Sequence, residues 1–174
     1  MARSLTVRTL QAHEVGLHRE VRLRALRDAP DSFAETFSDA AARSASYWEE
    51  LTRSVTEPGQ HVMFLACEEE HVHGSTYGLV DRDRGEAGRI GGMWVEPDWR
   101  RRGVGGALLQ AVFGWARERG FRRLGLWAPA GSPAALALYR QAGFRETGHR
   151  RPLPGNPALE IIEMECLLDD GAPR

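Results

Sequence analysis

The sequence predicts one α/β domain with a mixed sheet of about seven strands and four helices divided between its two faces. Three observations predict it. Short apolar or alternating stretches read as strands, and longer stretches of helix formers with period 3.6 lie between them. The two kinds interleave in the order β-α-α-β-β-β-α-β-α-β-β, with no internal repeat and no linker. The length of 174 residues suits a single core. Residues 5–168 are therefore read as one domain, and the polar stretch 169–174 as a frayed tail.

Leu5-Thr6-Val7-Arg8-Thr9-Leu10 alternates apolar and polar residues, as a half-buried strand does. His13 to Arg27 is rich in helix formers, with Leu17, Val21, Ala25 and Leu26 apolar, and Asp28-Ala29-Pro30-Asp31 breaks it. Ala40 to Val55 reads as a second helix, ended by Glu57-Pro58-Gly59. His61 to Cys67 and Gly74 to Val80 form a hairpin around Glu68–His73. A polar loop, Asp81 to Gly88, leads to a strand from Gly88 to Val95, stopped by Pro97. Gly103 to Gly120 carries the strongest helical signal: Val104, Ala107, Leu108, Ala111, Val112 and Trp115 share one face. Arg123 to Ala128 is a short strand. Ser132-Pro133 is a helix cap followed by proline at the first helical position, and Gly143 supplies the stop. Phe144–Gly148 and Leu159–Leu167 are the last strands, with the proline-rich Arg150–Pro157 read as a loop.

Composition narrows the function classes. The net charge is −1, and all 23 basic residues are arginine. A nucleic-acid binder carries a clear basic excess, so none is expected as a partner. No apolar run approaches the roughly 20 residues of a membrane helix, and the start Met1-Ala2-Arg3-Ser4-Leu5 has no apolar signal region. The expected location is the cytoplasm, with Cys67 and Cys166 as buried free thiols. His71-Val72-His73 has no Cys or carboxylate partner at metal-ligand spacing, so it is read as a turn with two exposed histidines, and no metal is expected. Arg122-Arg123 and Arg150-Arg151 are read as solvated surface.

The informative stretch is Met93-Trp94-Val95-Glu96-Pro97-Asp98-Trp99-Arg100-Arg101-Arg102-Gly103-Val104-Gly105-Gly106-Ala107-Leu108-Leu109. A strand ends, an arginine-rich loop follows, and glycines open an amphipathic helix. Glycine lets backbone approach a ligand closely, and a helix start offers unpaired N–H groups with a partial positive charge. Together they make a phosphate cradle. No Gly-Lys-Ser/Thr follows, and Leu108 stands where a dinucleotide fold needs its third glycine. By itself the pattern fits equally a glycine-rich helix start under exposed arginines.

A second stretch adds context: Ser132-Pro133-Ala134-Ala135-Leu136-Ala137-Leu138-Tyr139-Arg140-Gln141-Ala142-Gly143-Phe144. The pair resembles the GNAT superfamily of N-acetyltransferases. That family's Arg/Gln-x-x-Gly-x-Gly/Ala is matched at Arg100, Gly103 and Gly105, after a strand ending Val95-Glu96-Pro97. Its later Asn-x-x-Ala-x-x-Leu-Tyr-x-x-x-Gly-Phe is matched at Ala135, Leu138, Tyr139, Gly143 and Phe144. Either motif alone is weak; both in order are specific.

The resemblance implies the acyl-CoA N-acyltransferase fold, with a mostly antiparallel sheet, and acetyl-CoA as cosubstrate. It implies that the backbone of Met93, Trp94 and Val95 lines the pantetheine arm and that the amides of Arg101, Arg102, Gly103, Val104, Gly105 and Gly106 hold the pyrophosphate, with Arg100 in the charged rim. It places Tyr139 near the thioester sulfur, where a phenol of pKa about 10 can protonate a leaving thiolate. Val95 N–H is expected to stabilise the developing oxyanion. Ser132 replaces the family's Asn; its hydroxyl still caps the helix but lacks an amide's second group.

The stretch joining the first two helices borders the acceptor pocket in the family, so Phe33 and Glu35 are candidate substrate contacts. Glu35 and Glu96 are otherwise read as solvated carboxylates, and a water relay is the expected route for the amine's proton. Phe33, Trp48 and Tyr77 fit core packing as well as a pocket lining. The expected acceptor is a small-molecule amine, with a protein or peptide amine as the alternative and a non-catalytic acetyl-CoA sensor as another class. A monomer or homodimer is expected.

Overall fold

The computed structural model describes residues 5–59 and 61–168; the tail from 169 to 174 lies outside the described residues. Strands β1 (Thr6–Thr9), β2 (Val62–Glu68), β3 (His71–Asp81), β4 (Ala87–Val95), β5 (Arg123–Pro129), β6 (Arg145–Leu153) and β7 (Asn156–Leu167) form one sheet. Its order is β1-β2-β3-β4-β5-β7-β6. All neighbours are antiparallel except β4 and β5. This is the mixed, mostly antiparallel architecture expected.

The helices are α1 (Val15–Asp28), α2 (Phe37–Ala41), α3 (Ala45–Thr56), α4 (Val104–Glu118) and α5 (Pro133–Gln141). The expected count of four helices is corrected to five. The second expected helix breaks at Ala42–Ser44, because Ser44 leaves the helical region at ψ 163 and its hydroxyl accepts from Tyr47 N. Ser44 is thus the cap of a new helix rather than the interior of an old one.

Helices α4 and α5 pack on one face of the sheet. Val112, Leu109 and Leu136 meet Leu124, Leu126, Ile162 and Met164 there. A buried side chain such as Val112 or Leu109 contributes about 2 kcal/mol. On the opposite face α1 and α3 bury Val21, Leu26, Trp48 and Val55 against Met63, Leu65 and Trp94. Cys67 is buried as expected, and Cys166 is only half-buried.

The expected loop Arg150–Pro157 is corrected as well. Strand β6 runs through Pro152 to Leu153, β7 starts at Asn156, and the turn between them is Pro154-Gly155. Proline lacks an N–H for the ladder, but β6 is the edge of the sheet, where the missing donor faces solvent. Among the described residues no helix is long and apolar enough to cross a membrane.

Candidate active site

The site follows from where β4 and β5 stop pairing. They are hydrogen-bonded only from Ala87–Arg123 to Arg89–Gly125. Beyond that point β5 continues along β7, while β4 continues along β3. A bulge drives them apart. Between Ser75↔Trp94 and Tyr77↔Gly91, β4 has one residue more than β3. Gly92 takes φ +56 there, a conformation that L side chains rarely adopt. A Cβ on Gly92 would also lie 2.6 Å from the Tyr77 ring, so the site requires glycine twice over. Thr76 Oγ1 donates to Gly91 O at 3.1 Å and fixes the bulge. Paired glycines inside a strand, here Gly91-Gly92, are the usual sequence signal of such a bulge.

The gap is a slot of about 110 Å³, bordered by Gly91, Gly92 and Met93 on one side and Leu126, Trp127 and Pro129 on the other. Tyr139 projects into it from α5, and Phe33 closes it from the segment after α1. Tyr139 is 6% exposed. Burial raises its phenol above the usual range, and its hydroxyl has no hydrogen-bond partner among the described residues.

Along the β4 edge, Glu96 N donates to His73 O at 2.8 Å. Strand alternation therefore turns the Val95 N–H and C=O away from β3 and toward the slot. The side chain of Trp94 points to the α1 face, where Nε1 donates to Asp28 at 2.9 Å. By the same alternation the Trp94 N–H and C=O face β3, where Ser75 is its register partner.

Beside the slot, α4 starts without a side-chain cap. Gly103, its N-cap, is left-handed at φ +82, and Arg101 is left-handed at φ +59. The N–H of Ala107 returns to Gly103 O, so the preceding amides of the first turn have no intrahelical acceptor. The glycines serve separate ends. Gly103 supplies the conformation. A Cβ on Gly105 would lie 2.9 Å from Leu138 Cδ2, so Gly105 seats α4 on α5 rather than meeting a ligand; Gly106 faces open space. Val104 is a core side chain, 2% exposed.

The three arginines differ. Arg100 donates through Nε to Val95 O at 2.9 Å and pairs with Asp28, so its side chain braces the loop. Arg102 lies over Trp99, and Arg101 is exposed with no ion pair among the described residues. Ser132 accepts from Ala135 N and caps α5 as expected.

Neither candidate carboxylate lies in the slot. Glu35 is held by Arg22 at 3.4 Å and Arg43 at 3.6 Å, in a separate surface groove with Asp39. Glu96 is bound by Arg24 at 2.5 Å and by His73 Nδ1 at 2.7 Å. Burial alone would raise the Glu96 carboxyl, but these two hydrogen bonds outweigh it and hold the group below the usual range. His73 is accordingly half-buried and stacked 3.9 Å from Trp99, which corrects the reading of two exposed histidines. Trp48 and Tyr77 belong to the core under α1 and α3. No three His, Cys, Asp or Glu side chains among the described residues come together as metal ligands.

A slot opened by a bulge between two splayed parallel strands, next to an uncapped glycine-rich helix start, defines an acyl-CoA-type transferase fold. The model of the acetyltransferase (GNAT) family matches residues 23–144, and the chain belongs to that family. It is 34% identical over 109 residues to an aminoglycoside N(6')-acetyltransferase type 1 of Stenotrophomonas maltophilia, covering 57% of this chain and 69% of that one. It is 42% identical over 57 residues to the [ribosomal protein bS18]-alanine N-acetyltransferase of Escherichia coli K12, covering 33% of this chain and 38% of that one. The crystal structure of a GNAT-family acetyltransferase from Streptococcus pneumoniae superposes with a TM-score of 0.79 at 19% identity, covering 95% and 99% of the two chains.

Proposed function

We propose that the chain transfers the acetyl group of acetyl-CoA to the primary amine of a small molecule by direct attack in a ternary complex. The observation that carries this reading is the splay of β4 from β5, with an uncapped helix start beside it and a solitary tyrosine hydroxyl within it. The residues present fit acetyl-CoA. The Met93 backbone, which has no register partner on β3, and the Val95 N–H are offered to an extended pantetheine arm. The amides from Arg101 to Gly106 offer donors to a pyrophosphate, with the Arg101 and Arg102 charges beside them.

In the transfer, the amine nitrogen bonds to the acetyl carbon as the carbon–sulfur bond breaks. Val95 N–H donates to the carbonyl oxygen as charge builds there. Tyr139, kept protonated by burial, gives its proton to the departing sulfur and is reprotonated from solvent. No charged side chain lines the slot, so the amine's proton leaves through water. Glu96, held ionised by Arg24 and His73, is too weak a base for that work.

Titration calorimetry with acetyl-CoA and a free-thiol assay with a panel of amines test this reading. Acetyl-CoA uptake with amine-dependent thiol release is the expected result. Uptake without release from any amine would mean a sensor, and no uptake at millimolar acetyl-CoA would end the reading.

A further inference from the structure

Resting on that reading, we infer that the acceptor is an amine that also carries a carboxylate, such as an α-amino acid. Two aromatic side chains flank the slot from opposite walls, Phe33 and Trp127, and each carries a guanidinium on its ring. Arg22 Cζ is 5.0 Å from the Phe33 centroid, and Arg151 Cζ is 4.1 Å from the Trp127 ring centre. Arg22 also reaches the bulge: its Nη1 lies 3.5 Å from where a Cβ on Gly92 would stand. Both arginines therefore sit at residues that line the slot.

Their charges are incompletely answered by the protein. Among the described residues Arg22 has one ion pair, to Glu35 at 3.4 Å, and Glu35 is shared with Arg43. Asp39, the other acid of that groove, accepts from the Thr36 hydroxyl at 2.7 Å. Arg151 is exposed and has no ion pair among the described residues. Trp127 Nε1 is buried without an acceptor. Two guanidinium groups thus stand behind aromatic walls of the slot, Arg22 with one long ion pair and Arg151 with none among the described residues, and no carboxylate lines the slot itself. A polycationic acceptor would meet like charge here with no carboxylate in the slot lining to offset it. A carboxylate supplies the missing oxygens, and a guanidinium fork matches its two atoms. The amine of the same molecule enters between Phe33 and Trp127, forms the amide bond as the thioester bond breaks, and loses its proton to water. Neither arginine stands in a family motif, so the inference comes from their stacking and not from the resemblance.

The test is thiol release with matched acceptors: α-amino acids, their amides, spermidine and an aminoglycoside. Wild type is expected to favour the acids over their own amides by about tenfold or more in kcat/KM, the worth of one charge-assisted contact. Arg151→Gln, an exposed substitution that leaves the core untouched, is expected to reduce that acid-over-amide ratio about tenfold. Arg22→Gln is expected to do the same, read as the ratio so that any loss of folded protein cancels. The proposal is overturned if amides, spermidine or the aminoglycoside are acetylated as well as the acids, or if neither variant changes the ratio. Either result leaves the transferase reading standing, which falls only if acetyl-CoA does not bind.

Discussion

Two tyrosines lie on opposite faces of the same sheet, Tyr139 buried and Tyr77 partly exposed, and their hydroxyls are treated differently. Tyr77, under α1 and α3, bonds His18 Nε2 at 2.7 Å, and His18 Nδ1 bonds Thr52 Oγ1 at 2.8 Å. Tyr139, under α5, bonds no described residue. Burial pushes both phenols up, Tyr77 to about 12 and Tyr139 further still. The protein thus completes one polar chain internally and leaves the other hydroxyl for whatever enters the slot. A buried group with its partners present serves the fold, while one left open serves a ligand.

Acid should attack the His18 side through its buried imidazole. Burial lowers His18 from 6.5 to about 4. The unfolded chain takes up this proton below pH 6.5, and the folded one resists until about pH 4. The associated stability is therefore complete above pH 6.5 and lost as the pH falls through that window, by roughly 3 kcal/mol. Urea melts from pH 7 to 4.5 check this, and His18→Gln should flatten the slope. An unchanged slope would break the contrast between the two faces.

Tyr139→Phe should lower kcat about a hundredfold, near 2.7 kcal/mol of barrier, while the dissociation constant of acetyl-CoA and the melting temperature hold. Tyr77→Phe should do the reverse. It leaves His18 Nε2 unanswered and costs about 2 kcal/mol of stability by denaturant melts, with kcat per folded molecule preserved. If both variants lost activity and stability together, the division of labour would be wrong.

The two helix starts sharpen the same contrast at smaller scale. Gly103→Ala forces a side chain into the left-handed region at φ +82, at about 1–2 kcal/mol, and should weaken acetyl-CoA binding in calorimetry. Ser132→Ala removes the cap on Ala135 N, at about 1 kcal/mol, and should leave that binding unchanged.

The strands, the α4 stripe and the α5 cap were legible because each depends on neighbours within a few residues. The period of Val104, Leu108 and Val112 and the Ser132-Pro133 pair carry their structure in local spacing. The break at Ser44 was missed because a serine suits both a cap and a polar helix position. The second half of β6 was missed because Pro152 is tolerable only at an edge, and edge position is a property of sheet order.

The order of elements and the two glycine motifs were determined by the sequence alone, since periodicity, turn chemistry and helix-start chemistry are short-range. The company each side chain keeps was decided by the folded arrangement. Arg22 is 70 residues from Gly92 along the chain, roughly counted, and meets it because α1 lies across the bulge. Arg151 and Trp127 meet through β7, which pairs with both of their strands. Contacts between distant segments depend on which strands pair and where they part, and no local pattern encodes that.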